Sequence, residues 1–148
     1  MNEPVFFYEK DFYMFSNFSS FTVEWRGNLW MTAEHAYQAA KFEDLSIVKA
    51  ILEARSAHDA KRIAHANKGV MSSSFAEKKI EIMKSILQAK ATQHLYVREV
   101  LLSTESREII EDSPKDSFWG WGPNKDGQNR LGKLWMEVRE EVRNGEIK

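Results

Sequence analysis

Two stretches of this 148-residue chain carry side chains whose types and spacing suit chemistry. The first is Glu34-His35-Ala36-Tyr37-Gln38-Ala39-Ala40-Lys41-Phe42. On a helix, positions 34, 38 and 41 share one face, so a carboxyl, an amide and an amine come together. The Cα atoms of Glu34 and Lys41 are then ~10 Å apart at the helical rise, and both side chains are long enough to converge on a ligand between them. A carboxyl can give or take a proton, and an amine can attack a carbon or hold an anion. The same spacing also describes an ordinary solvated face with Glu34 favoured near the positive end of the helix dipole. His35, Ala39 and Phe42 fall on the next face and serve packing.

The second stretch runs Asp116-Ser117-Phe118-Trp119-Gly120-Trp121-Gly122 and on through Gly127-Gln128-Asn129-Arg130-Leu131-Gly132. Glycine lets backbone approach a ligand or take positive φ. A Trp face can stack on a base. Asn129 precedes a helix and is placed to cap it, with the first helical amides then open to a phosphate. A glycine-rich turn holding two packed Trp is the equal alternative. The stretch is neither a P-loop, because the Gly-Lys-Ser/Thr ending is missing, nor a dinucleotide fingerprint.

Other chemistries find little support. The chain has no Cys, which excludes disulfides and thiolate metal sites. His35, His58, His65 and His94 form no HExxH pattern, and no metal or other cofactor is expected. No GxSxG elbow occurs, so a Ser-His-Asp triad has no sequence support. A net charge of −1 lacks the basic bias of a general nucleic-acid binder. Lys78, Lys79, Lys84 and Lys90 read as a solvated helix face, a local basic groove being the alternative. The first residues lack a basic start followed by a long apolar run, and no stretch approaches the ~20 apolar residues of a membrane span. A soluble cytoplasmic protein is expected.

These residues need elements to position them. Phe6–Tyr8 is a short strand candidate. Phe21–Trp25 alternates, Arg26 to Leu29 turns back, and Leu29–Met31 is the expected return strand. Thr32 caps a helix reaching about Phe42, and Leu45–Ala54 makes a second. Ser56 caps a third to about Asn67, with Gly69 as terminator. Ser74-Phe75-Ala76-Glu77 is a capping box opening a long helix to about Ala91, with Ala76, Ile80, Met83 and Leu87 as its apolar stripe. A helix over His94–Leu102 and a strand within Arg107–Glu111 follow. The last helix spans Arg130–Arg143, with Leu131, Leu134, Trp135, Val138 and Val142 on one face. The expected fold is α+β: one mostly helical domain over residues 1–148 with a small N-terminal antiparallel sheet.

Several motifs in order resemble the NADAR (YbiA-like) family. They are Phe15-Ser16-Asn17-Phe18, Trp30 to Gln38 with Lys41-Phe42, Ala89-Lys90-Ala91-Thr92-Gln93, Glu99 to Thr104, Phe118-Trp119-Gly120, and Gly127 with Asn129 to Gly132 and Met136 to Arg139. The likeness covers about residues 6 to 142. It implies an enzyme that cuts the C1′–N bond of an N-glycoside. The substrate is either a phosphoribosylaminopyrimidine intermediate of riboflavin biosynthesis or ADP-ribosylated guanine in DNA. A binding module for ADP-ribose without turnover is the non-enzymatic alternative. Catalytic roles are implied for Glu34 and Lys41, with Asp116 assisting. Substrate contacts are implied for Ser16, Asn17, Trp30, Gln38, Phe75, Trp119, Gly120 and Asn129. The chain departs from the family pattern at Phe75, where relatives often carry Trp; the aromatic is kept and the indole donor lost. Glu34 is the expected general acid/base. Lys41 either forms an imine with C1′, which needs a neutral amine, or simply contacts phosphate.

Overall fold

The backbone of Arg26 and Gly27 takes positive φ, 50° and 81°. Two such residues make the tight turn whose twist matches that of antiparallel strands. It closes the hairpin of β2 (Val23–Trp25) and β3 (Asn28–Trp30), with Val23 opposite Trp30. The sequence pattern placed the turn one residue later and the return strand at Leu29–Met31. The left-handed conformations of Arg26 and Gly27 set the register.

The computed structural model describes residues 3–147. Besides the hairpin it contains a parallel pair, β1 (Val5–Phe7) with β4 (Ile109–Glu111), and six α-helices among the described residues. The helices are α1 (Ala33–Ala39), α2 (Leu45–Leu52), α3 (Ala57–Ala66), α4 (Phe75–Gln93), α5 (Leu95–Ser103) and α6 (Arg130–Arg143). The α+β expectation holds, and the parallel pair is added to it. Pairing β1 with β4 joins residues over a hundred positions apart, which no local pattern announces. No helix among the described residues is long and apolar enough to cross a membrane.

The chain divides into two compact units, 17–93 and 1–16 with 94–148. In the first, α1 is the central helix: all seven of its residues are buried, and it packs on α2, α3 and α4. Thr32 caps it by accepting a hydrogen bond from the His35 amide at 3.2 Å. His35 is satisfied by Thr32 Oγ1 at Nδ1 (2.7 Å) and by the Ala54 carbonyl at Nε2 (3.0 Å), a packing residue as expected. Asp44 and Ser56 cap α2 and α3. Gly69 does not terminate α3. It lies in a 3-10 turn without positive φ, and the Asn67 side chain closes the helix by donating to Ile63 O at 2.8 Å. The hairpin is tied to α4 by Trp25, whose indole donates to Ser85 Oγ at 3.0 Å. Gln93 adds a second tie, its side-chain amide exchanging hydrogen bonds with the Glu24 backbone.

Two expectations for α4 are corrected. The buried stripe is Phe75, Ile82, Met83, Ile86, Leu87, Lys90 and Ala91, while Ala76 is exposed and Ile80 half-buried. Lys90 is therefore no solvated lysine. It is 0 % exposed and donates to the buried Ser19 hydroxyl at 2.9 Å. Burial pushes its pKa down to about 7.

In the second unit α6 packs on β4 and α5. Trp135 is fully buried, donates to Phe15 O at 3.0 Å and packs on the Phe15 ring. The segment 117–121 runs against 127–131 through backbone hydrogen bonds, among them Arg130 N to Phe118 O and Leu131 N to Trp119 O, both 3.0 Å. Those bonds occupy the first amides of α6, so they are not open to a phosphate. Nor does Asn129 cap the helix. It sits at φ 49° with no side-chain cap bond, and its amide instead pairs with β4, accepting from Glu111 N and donating to Ile109 O, both at 2.9 Å.

Candidate active site

Helix α1 makes an unusual demand on its surroundings: three of its seven buried residues are polar. A buried polar group costs free energy unless it finds a partner. His35 is fully paired, as above. Glu34 is 6 % exposed; its Oε2 accepts from Gln38 Nε2 at 2.5 Å, and its backbone amide donates to Asn17 O at 3.0 Å. The helical spacing of 34 and 38 thus produces the contact it promised. Asn17 is buried beside them and donates to the Met83 sulfur at 3.3 Å. Two buried acceptors here, Asn17 Oδ1 and Gln38 Oε1, have no hydrogen-bond partner among the described residues. Next to a carboxyl, such atoms suit a ligand rich in hydroxyl or N–H donors.

Lys41 follows the C-terminus of α1, half-buried, with Nζ 5.4 Å from the Tyr37 ring centre and 5.8 Å from that of Phe75. Tyr37 and Phe75 meet edge to face at 5.5 Å. Phe75 is accordingly a wall against Lys41, and a ring suffices for that role without an indole donor.

The electrostatics of the pair run in opposite directions. Burial raises the Glu34 pKa above the usual carboxylate range, opposed by the Gln38 hydrogen bond, the charges of Lys61 and Lys41, and Asn17. Burial lowers the Lys41 pKa, the Glu34 charge opposing and the Lys61 and Lys79 charges assisting. The result is a carboxyl that keeps its proton longer and an amine that loses its proton sooner than free side chains would. Such a pair suits proton transfer combined with nucleophilic attack.

The remaining implied residues lie on other elements. Trp30 lies at the end of the hairpin, buried, its indole donating to Trp25 O at 2.9 Å. Ser16 and the loop residues Asp116, Trp119, Gly120 and Asn129 belong to the other unit. Asp116 uses one carboxylate oxygen to accept from the amides of Phe118 (2.9 Å) and Trp119 (2.8 Å). The Trp119 ring is half-buried and stands edge-on to Phe118 at 4.8 Å. Gly120 is required by contact: a Cβ there would collide with Glu111 Oε2 and stand 2.9 Å from the carbonyls of Asp116 and Glu111. Sequence reasoning gave no site role to Tyr37 or Lys61 and read Lys79 as part of a solvated helix face, with a basic groove as the alternative. Lys79 follows Phe75 by one helical turn, a spacing available in the sequence; Lys61 has no comparable signal. No group of three or more His, Cys, Asp or Glu among the described residues is arranged to hold a metal ion.

The fold thus brings a buried carboxyl on α1 and a half-buried amine just past the C-terminus of that helix within electrostatic reach of each other. The chain belongs to the NADAR domain family, which matches residues 6–143 and so spans both compact units. It is 38% identical over 145 residues to "N-glycosidase Npun_R5314" of Nostoc punctiforme, covering 95% of this chain and 93% of that protein. It is 34% identical over 132 residues to "N-glycosidase YbiA" of Escherichia coli, covering 89% of this chain and 82% of the relative. It is also 34% identical to "Riboflavin biosynthesis protein VVA0006" of Vibrio vulnificus, of which the match covers 39%. The NMR structure of E. coli YbiA superimposes with a TM-score of 0.90 at 32% identity, covering 98% of this chain and 88% of that one.

Proposed function

We propose that this chain hydrolyses the C1′–N bond between a phosphorylated ribose and an aminopyrimidine, with Glu34 as acid–base group and Lys41 as attacking amine. The enzyme class, a hydrolase acting on N-glycosyl bonds, rests on the named N-glycosidases at 34–38% identity over most of the chain. The choice of substrate is supported by the relatives named for riboflavin biosynthesis. The single observation that carries the mechanism is the setting of buried Glu34, bonded to Gln38, near a half-buried Lys41 walled by Tyr37 and Phe75, where burial raises the one pKa and lowers the other. A module that only bound an anionic ligand would gain nothing from a buried carboxyl beside the amine.

The reaction begins with opening of the sugar ring: the nitrogen lone pair forms a C1′=N bond, the C1′–O4′ bond breaks, and O4′ takes the Glu34 proton. Neutral Lys41 Nζ adds to C1′ and gives one of its protons to the Glu34 carboxylate. Glu34 passes that proton to the base nitrogen, which leaves with the electron pair of its bond to C1′ while the Nζ lone pair forms a C1′=Nζ iminium. Water adds to that iminium and gives a proton to Glu34. The remaining hydroxyl proton then passes to Nζ, which departs with its bonding pair as the oxygen forms the carbonyl, releasing the sugar as an aldehyde and restoring neutral Lys41 and protonated Glu34. Asn17 Oδ1 and Gln38 Oε1 accept hydrogen bonds from sugar hydroxyls throughout. The Asp116 carboxylate, already engaged by two loop amides, is not needed for these steps. A cytoplasmic setting fits the cysteine-free sequence.

The test is incubation of the protein with phosphoribosylaminopyrimidine and, separately, with DNA bearing ADP-ribosylated guanine. Release of ribose 5-phosphate from the first supports the proposal. Release of ADP-ribose from the second alone would transfer the same bond chemistry to a nucleic-acid substrate. Binding without release from either would make the chain a recognition module.

A further inference from the structure

Residues 17–21 belong to no helix or strand, yet they carry Asn17, whose Oδ1 is one of the two buried acceptors left open beside Glu34. An irregular segment has no ladder of its own to fix a side chain, so its aim depends on what fastens it. Three contacts do so, all within one compact unit. Asn17 O accepts from the Glu34 amide at 3.0 Å, and Asn17 Nδ2 donates to Met83 Sδ at 3.3 Å. Ser19 Oγ accepts from Lys90 Nζ at 2.9 Å. The turn between is closed by the Phe21 amide, which donates to Ser19 O at 2.8 Å, and Lys90 Nζ stands 5.4 Å from the Phe21 ring centre. Met83 and Lys90 are seven residues apart on one buried face of α4, so the loop lies along that face and is held at both ends.

These fastenings differ in strength. A thioether is a weak acceptor, so the Met83 contact alone orients the Asn17 amide poorly. A hydrogen bond from an ammonium group is the stronger kind, and an ammonium over an aromatic face is attracted to it. Lys90 is fully enclosed, and enclosing an ammonium is costly where an apolar side chain of similar length would fill the same space. The amine can donate to Ser19 whether charged or neutral, so the tie survives its titration. We propose that Lys90 is a positioning residue for the reaction: by holding Ser19 it fixes the loop so that Asn17 Oδ1 faces the sugar beside Glu34. Its effect on the ligand passes through Asn17 alone. The proposal rests on the reading of Glu34 and its neighbours as the reaction site.

The experiment compares wild type with Lys90→Met, Ser19→Ala, Asn17→Ala and the double variant Asn17→Ala/Lys90→Met. Steady-state kinetics on phosphoribosylaminopyrimidine, calorimetric binding of ribose 5-phosphate and amide hydrogen exchange by NMR are measured at pH 6, where Lys90→Met should be at least as stable as wild type. Lys90→Met and Ser19→Ala should each raise KM and weaken ribose 5-phosphate binding by about fivefold or more, the worth of one hydrogen bond. Their kcat should stay within about twofold of wild type, because a bond held throughout the reaction stabilises ground and transition states alike. A purely structural lesion would do the reverse, lowering the active fraction and hence kcat at unchanged KM. The Glu34 amide, whose acceptor is Asn17 O, should exchange about tenfold or more faster in Lys90→Met while amides inside α3 keep their rates. The double variant should bind no more weakly than Asn17→Ala. Unchanged KM and Glu34 exchange in Lys90→Met would overturn the proposal, and so would losses that multiply in the double variant. Should Lys90→Met fail to fold, Ser19→Ala decides by the same readouts. Should wild type turn over no glycoside, the reaction assigned above fails on its own, and Glu34 amide exchange then decides the positioning role.

Discussion

At Glu34, two forces contend over one proton. Burial favours the neutral acid, while Gln38, Asn17 and the nearby lysines favour the anion, and burial is the larger. Removing the carboxyl should therefore cost chemistry rather than fold. Glu34→Gln is expected to keep the circular dichroism spectrum and ligand binding and to lower turnover by ~10²-fold or more; near-wild-type turnover would remove Glu34 from the mechanism. At Lys41 the decisive property is a neutral amine. Borohydride added during turnover should trap a sugar adduct on Lys41, detectable by mass spectrometry. Lys41→Arg should be nearly inactive, because guanidinium stays protonated. An active Lys41→Arg enzyme with no trapped adduct would reduce Lys41 to an anion contact.

At the scale of elements, the junction of β4 with α6 shows why a glycine-rich stretch need not be a ligand cradle. The first turn of α6 lies so close to β4 that a Cβ at Gly132 would collide with Ile109 O. Asn129 fills the remaining approach with two hydrogen bonds to the strand backbone. Gly132→Ala should therefore lower stability by ~1–3 kcal/mol through overpacking, read as a shift in the denaturation midpoint. Without that clash the change would favour the helix, since Ala is the better helix former by about 1 kcal/mol. A neutral or stabilising Gly132→Ala would show that the close approach carries no energetic weight. The helix signals themselves were legible. Thr32 and Ser56 cap where their types predict, and the α6 boundaries Arg130 and Arg143 coincide with the apolar stripe. What misled was the reading of Asn129, because a cap residue and a strand-pairing residue have the same side chain and differ only in what lies across from them.

For the whole molecule, burial of Lys90 ties stability to pH. Its pKa is about 7 when folded and near 10.5 when free, so between those values the unfolded chain binds more protons. Stability should rise with pH across that window, and the contribution should be gone once pH falls below about 7. Lys90→Met should flatten this dependence and raise stability at pH 6 by an amount on the order of a few kcal/mol. Chemical denaturation of both proteins at pH 6 and pH 9 checks this, and parallel pH profiles would refute it. Nothing in the sequence near Lys90 announces the burial, since its hydroxyl partner Ser19 is 71 residues away. The same division runs through the chain. Local patterns determined the helices, their caps, the hairpin and the Glu34–Gln38 contact, because periodicity and capping act over a few residues. The ordered motifs determined the family. Tertiary structure alone decided the β1–β4 pairing, the buried Lys90, the tasks of Asn129 and Gly120, and the approach of Lys61 and Lys79 to Lys41. Each of these depends on burial or on a partner distant in sequence, and neither quantity exists until the chain has folded.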